Sequence, residues 1–291
     1  MRNEKKEAIP KKRGQMREVW RRLRRNKLAV LGMCVLVLIV LLAIFADLIA
    51  PYPYDYQNYS AALEFPTWEH PFGTDNYGRD ILSRVIYGSR ISLQIGFISL
   101  LVGAVIGCIL GAVAGFFGGV LDTVIMRFTD ILMSIPKMIL AIAIATTLGP
   151  GLTNAIIAVS IGSIPNFARV VRASTLTVKD QEYVESARAI GTSNTRIIAK
   201  YIFPNVMAPI IVQATLGVGT SIILAASLSF LGLGIQPPTP EWGAMLSAAR
   251  SYMREQWYMV MFPGLAIMIT VLALNLFGDG LRDALDPKMK T

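Results

Sequence analysis

Catalysis needs titratable, nucleophilic or metal-ligating side chains at fixed spacings, and this sequence supplies few of them. Its one histidine, His70, has no cysteine or second histidine at ligand spacing, so no transition-metal site is indicated. Asp75 and Asp80 lie in Gly73-Thr74-Asp75-Asn76-Tyr77-Gly78-Arg79-Asp80, but the ligand spacing of a calcium hand is missing. A structured, turn-rich loop is the expectation there. Neither Gly-x-Ser-x-Gly nor His-Glu-x-x-His occurs. No Gly-Lys dipeptide occurs either, so the chain has no P-loop for a nucleotide. Cys34 and Cys108, the only cysteines, both sit in apolar runs and read as small fillers. A membrane-bound enzyme is therefore a poor reading, and no cofactor is expected in this chain.

A different kind of chemistry is spaced along Gln181-Glu182-Tyr183-Val184-Glu185-Ser186-Ala187-Arg188-Ala189-Ile190-Gly191. A helix starting near Asp180 would stop at Gly191, where glycine supplies the left-handed cap. A second helical stretch, Thr192 to Phe203, would end at Pro204. Ser186, Ala187 and Ala189 are small enough to let the first helix sit deep in a partner's groove. Glu185, Arg188 and Arg196 would supply charged contacts at its rim. Spacing alone leaves a docking helix and an ordinary solvated loop both open.

The elements that must position this loop are read from hydropathy. Of 291 residues, 54% are hydrophobic and 16% charged, with a net charge of +9. Charged residues average about 25% in soluble proteins. Residues 1–27 hold 12 Lys/Arg and 3 Glu, so the whole excess lies in a terminal segment and no nucleic-acid-binding face is implied. A helix needs about 20 apolar residues to cross a bilayer. Six such spans are expected: 28–49, 91–119, 131–148, 152–170, 206–231 and 258–277, with Gly149-Pro150-Gly151 separating the third from the fourth. The segments on the side of the termini then carry 23 Lys/Arg, with 120–137 counted among them, against 5 opposite. The positive-inside rule puts both termini in the cytoplasm. The implied organisation is a basic cytoplasmic segment 1–27, a first span 28–50, an extracytoplasmic loop 51–90 and a five-helix core 91–291 containing the loop 172–205. The basic leader is too long for a signal peptide. Within it Met16, Val19, Trp20 and Leu23 recur at helical spacing, which predicts an amphipathic helix on the anionic inner leaflet.

The second span carries Gly103, Gly107, Gly111, Gly115 and Gly119, one every four residues. Such a stripe lets another helix backbone approach closely, and a tight crossing is the expected use. Ser160, Ser163, Gln213, Thr215, Thr220, Ser221, Thr270 and Asn275 should face protein or a wet path, because polar groups in lipid are costly. No central span carries a carboxylate pair, which weighs against an ion-coupled secondary transporter.

Several stretches together resemble one family. Glu185-Ser186-Ala187, then Gly191, then Ile202-Phe203-Pro204 is similar to the EAA loop of bacterial ABC import permeases, with Ser186, Tyr201 and Phe203 departing from that pattern. His70-Pro71-Phe72-Gly73-Thr74-Asp75, Gly78-Arg79-Asp80 and Tyr87-Gly88-Ser89-Arg90-Ile91-Ser92-Leu93 resemble dipeptide and oligopeptide permeases. So do Ser229-Phe230-Leu231-Gly232-Leu233-Gly234, Pro237-Pro238, Glu241-Trp242-Gly243 and the ending from Asn275 to Pro287. The resemblance covers nearly the whole chain after residue 16 and points to the C-type subunit of the dipeptide/oligopeptide/nickel permeases. It implies an all-α, six-span type I importer bundle in the bacterial inner membrane. The implied partners are a second homologous permease, two cytoplasmic ATPase subunits holding ATP and Mg, and an extracytoplasmic solute-binding protein. Glu185, Ser186, Ala187, Arg188, Gly191 and Pro204 would then form the coupling loop to an ATPase. The solute is expected to be a di- or oligopeptide, with nickel or another small solute as the alternative.

Overall fold

The computed structural model describes residues 15–285. The first half of the basic leader and the Asp286-Pro287 ending lie outside the described residues. Within them the chain is helical, in the order α1 (Gln15–Leu23), α2 (Lys27–Ile44), α3 (Ala46–Ile49), α4 (Ile81–Phe117), α5 (Gly119–Ser134), α6 (Lys137–Leu148), α7 (Leu152–Val178), α8 (Glu182–Ala189), α9 (Asn194–Ile197), α10 (Phe203–Phe230), α11 (Trp242–Ala249) and α12 (Tyr258–Leu285). α2, α4, α7, α9–α10 and α12 are long and apolar enough to cross a bilayer. α5 and α6 qualify as one further span bent by 91°.

α4 and α7 form the centre of the bundle, and their contact is written in glycine. A Cβ built on Gly103 would fall 2.8 Å from Ser160 O, one on Gly107 2.6 Å from Ile164 O, and one on Gly115 3.0 Å from Arg172 O. Gly111 lies against Ala168 O. Steps of four on one helix thus match steps of four on the other, which is ridge-into-groove packing of two backbones. Gly119 does not share this row. Gly118 and Gly119 have φ of 66° and 58°, so α4 stops there and the chain turns into α5, with open space around both. The same helix begins ten residues before its apolar stretch, because Asp80 caps it by accepting from Ser83 N (2.7 Å).

The third span differs from the straight helix expected over 131–148. It breaks at Ile135-Pro136, and the segment counted as a loop with 120–137 is the helix α5. Proline at the break removes an amide and forces the preceding residue into extended conformation, here ψ 127° at Ile135. α5 is tied to α7 by Arg172 with Asp122 (2.5 Å) and Arg169 with Asp130 (2.6 Å). Lys137, the first residue of α6, therefore lies beside Gly162 of α7 and not in a basic loop.

The amphipathic stripe forms α1, but it faces more than lipid. Leu23 is 4% exposed, packed with Ala29 and Ala284 and flanked by Val19, Phe277 and Leu281, whereas Trp20 is 48% exposed. The Met16 side chain lies outside what is described. α1 is thus held on the end of α12 by protein as well as by any membrane surface. Leu23→Asp should place a carboxylate in this apolar contact and detach α1, at about 2–4 kcal/mol. Trp20→Asp should do so far less. Limited proteolysis of residues 16–27 checks the difference, and equal protection in the two variants would contradict the docking.

On the opposite side, residues 51–80 fold into a cap. Asp75 pairs with Arg79 (2.7 Å), and His70 Nδ1 lies 3.0 Å from Asp80 Oδ1. Arg84 is buried, donating to Tyr54 O (2.8 Å) and Pro238 O (3.2 Å), so one guanidinium ties the cap to the loop before α11. Glu241 caps α11 by accepting from Gly243 N and Ala244 N, while its burial pushes its carboxyl pKa up. Arg84→Met should leave two sheltered carbonyls without a donor and cost about 2–3 kcal/mol. Thermal unfolding of the purified complex should show the lower melting temperature.

Candidate functional site

The loop between α7 and α10 lies at the same end of the bundle as α1. α8 ends at Ala189, followed by its cap residue Ile190 and then Gly191 with φ 77°. Gly191 N donates to Arg188 O (2.9 Å) and Thr192 N to Ala187 O (3.1 Å). This pair of bonds is the Schellman arrangement, which needs a left-handed residue at the position of Gly191. Nothing surrounds the Gly191 Cα within 4 Å of a built Cβ, so φ and not crowding asks for glycine.

Eight residues are too few to hold a helix in water without tertiary support. α8 obtains it from Val184 and Ala187, three residues apart and both buried, against a core that includes Phe116, Val171, Ile197 and Ile202. Ala187 therefore faces its own chain, contrary to a place in a partner's groove. Arg188 also folds back, with its guanidinium 5.1 Å from the centre of the Phe116 ring. Glu182, Tyr183, Glu185, Ser186, Arg188 and Ala189 remain exposed on α8, and Ile190 beyond its end. Ile190 is 78% exposed and Tyr183 40%, two apolar side chains that spacing did not single out. The signal was present: with Val184 and Ala187 committed inward, Ile190 lies past the helix end and cannot follow them.

Pro204 does not end a helix. α9 runs through a π turn, Ile198–Ile202, into α10 as one apolar span from Asn194 to Phe230. Phe203 N donates to Ile198 O, five residues back, and Pro204 falls in the first turn of α10. The wider turn moves the carbonyl that a proline ring would otherwise strike. The inner loop is in this way joined rigidly to α10 and, through Val184 and Ala187, to the end of α4.

A second feature is a cavity of about 280 Å³ lined by Lys137, Gly162, Ser163, Thr220, Ser221 and Ser227 among others. It lies where the break between α5 and α6 faces α7 and α10.

Comparison with known proteins gives a consistent picture. Residues 103–291 match the family described as the binding-protein-dependent transport system inner membrane component. Residues 14–66 match the N-terminal TM domain of oligopeptide transport permease C. The chain is 48% identical over 275 residues to the dipeptide transport system permease protein DppC of Alkalihalophilus pseudofirmus, covering 94% of this chain and 90% of that one. It is 52% identical over 274 residues to the glutathione transport system permease protein GsiD of Escherichia coli O157:H7, with the same coverage. Among solved structures, an inward-facing form of the MetNI methionine ABC transporter superposes with a TM-score of 0.59 at 21% identity, covering 71% of this chain and 98% of that one. An amino acid ABC transporter solved with histidines gives 0.53 at 14%, covering 69% and 94%. The helical bundle with its broken span, the capped inner loop and these matches agree: the chain belongs to the binding-protein-dependent inner-membrane permeases, the membrane-spanning subunits of ABC importers.

Proposed function

We propose that this permease imports di- or oligopeptides, with both termini in the cytoplasm and α8 as its coupling helix to an ATPase subunit. The observation that carries the coupling role is the outward face of α8. Glu185, Ser186, Ala189 and Ile190 stand free on a helix that is capped at Gly191 and anchored by Val184 and Ala187. A side chain as exposed as Ile190 on an otherwise anchored helix fits insertion into a cleft of another protein. ATP and Mg would be held by two such ATPase partners, since no P-loop occurs in this sequence. A second permease subunit would complete the pathway, and a solute-binding protein would deliver the peptide to the cap. Closure of the ATPases would push α8, and the continuous span from Asn194 to Phe230 would carry the motion as a rigid lever. The peptide assignment draws on the names of the relatives, a dipeptide permease and a permease for glutathione, itself a tripeptide. Reconstitution with the partner subunits and the cognate binding protein tests it. Peptide should stimulate ATP hydrolysis and accumulate in the vesicles. Stimulation by nickel and not by peptides would replace this reading.

A further inference from the structure

We propose that Lys137 and Ser221 form an intramembrane site for the C-terminal carboxylate of the transported peptide. The proposal rests on the peptide reading above and adds to it a place in the pathway.

The depth of the site is the first argument. Gly162 and Ser163 lie about 15 Å along α7 from its start at Leu152, and Thr220 and Ser221 about 15 Å along α10 from its end at Phe230. The hydrocarbon core is about 30 Å thick, so the cavity between them reaches its middle. An ammonium at that depth is costly unless it meets a counter-charge or water, and such residues mark ligand pathways.

The second argument is that the chain supplies no counter-charge. Lys137 has no ion-pair partner among the described residues. The two carboxylates of α5 are both occupied, Asp122 by Arg172 and Asp130 by Arg169. Gly162, facing Lys137 across the gap, leaves room where a side chain would stand: even a built Cβ comes no closer than 4.0 Å to Lys137 Cβ.

The third argument is the pattern of hydroxyls. Ser221 is 2% exposed and lines the cavity, yet its hydroxyl has no partner among the described residues, so it is free to donate. Thr220 donates to Gly217 O (2.9 Å) and Ser227 to Ile223 O (2.8 Å), which satisfies their hydrogens and leaves their oxygens as acceptors. One cation and one free donor suit a carboxylate. Acceptor oxygens beside them suit the amide N–H next to a peptide's C-terminal carboxylate. The start of α6 at Lys137 adds the positive end of a helix interrupted inside the membrane. A site open on one side and held by few bonds also allows release, as transport requires.

The test uses the whole complex in proteoliposomes with its binding protein, and trialanine against trialanine C-terminal amide. Uptake is compared at equal occupancy of the binding protein, which removes that protein's own selectivity. Lys137→Gln should lower uptake of the free acid by about tenfold or more, the loss expected for one charge-assisted hydrogen bond. It should change uptake of the amide by less than about twofold, and Lys137→Arg should restore most of the free-acid uptake. Ser221→Ala should weaken free-acid uptake by a smaller factor in the same direction. Equal effects of Lys137→Gln on both peptides, or none, would overturn the site. So would loss of the second permease from the purified Lys137→Gln complex, which would make Lys137 a subunit contact. A wild-type complex that imports neither peptide would instead remove the peptide reading itself, whatever Lys137 does.

Discussion

Replacing Gly107 and Gly111 together by leucine is expected to abolish the purified complex almost completely, while replacing Gly264 by alanine leaves its yield unchanged. The difference follows from what each new Cβ meets. At Gly107 it would fall 2.6 Å from Ile164 O and 2.6 Å from Phe167 Cβ. At Gly111 it would press on Ala168 O and lie 3.0 Å from Val171 Cβ. Backbone atoms cannot rotate away, so α4 and α7 must separate along their whole contact. Separation in lipid gains nothing back, because helix association there depends on close packing and not on the hydrophobic effect. Overpacking of this kind costs above about 3 kcal/mol for the pair. At Gly264 nothing lies within 4 Å, and no positive φ opposes a side chain. Affinity-tagged yield of the assembled subunits gives the answer. Normal assembly with an altered solute preference would mean that the glycines border the pathway and do not hold two helices together.

How far these features were legible in the sequence depended on whether a local rule decided them. The glycine repeat was readable because a period of four is a helical property, and the end of α8 was readable because glycine favours the left-handed cap. The break at Ile135-Pro136 was not read, since Ile131 to Leu148 is apolar enough to pass for one straight span. Pro136 and Lys137 interrupt it, but counting Lys137 among the loop charges hides the break. The start of α4 is hidden for a similar reason: hydropathy rises only from Ile91, whereas the cap at Asp80 is a side-chain hydrogen bond. Amphipathicity placed α1 on a surface but could not say that Leu23 would meet Ala29 and Ala284, because lipid and an apolar helix face make the same demand. Pro204 looked like a stop because the rule for proline assumes an α turn before it, and here the turn is π. The six-span bundle followed from hydropathy and resemblance together, but the cavity at Lys137 arises from three helices remote in sequence and had no local signature.

Gly191→Val should uncouple the permease while leaving it in the membrane, and Gly191→Asn should not. A β-branched residue at φ 77° is strained by about 1–2 kcal/mol, because its Cβ crowds the following carbonyl. Asparagine occupies that region at much lower cost. Relief of the strain requires rotation of the backbone out of the left-handed region. That rotation breaks the bonds from Gly191 N to Arg188 O and from Thr192 N to Ala187 O. The last turn of α8 then frays, and Ile190, the most exposed apolar side chain of the loop, loses its fixed position. The anchor at Val184 and Ala187 lies in the core beneath α8, so the spans should still insert and pack. Peptide-stimulated ATP hydrolysis and peptide uptake should fall together by about 5- to 30-fold, the population change that 1–2 kcal/mol produces. The two activities are measured on equal amounts of assembled complex, with Gly191→Asn beside them. Wild-type stimulation in the valine variant would show that the docking face does not depend on this cap. A fall in uptake with ATP hydrolysis still stimulated would show that Gly191 acts after the ATPase, in the path of the motion and not at its entry.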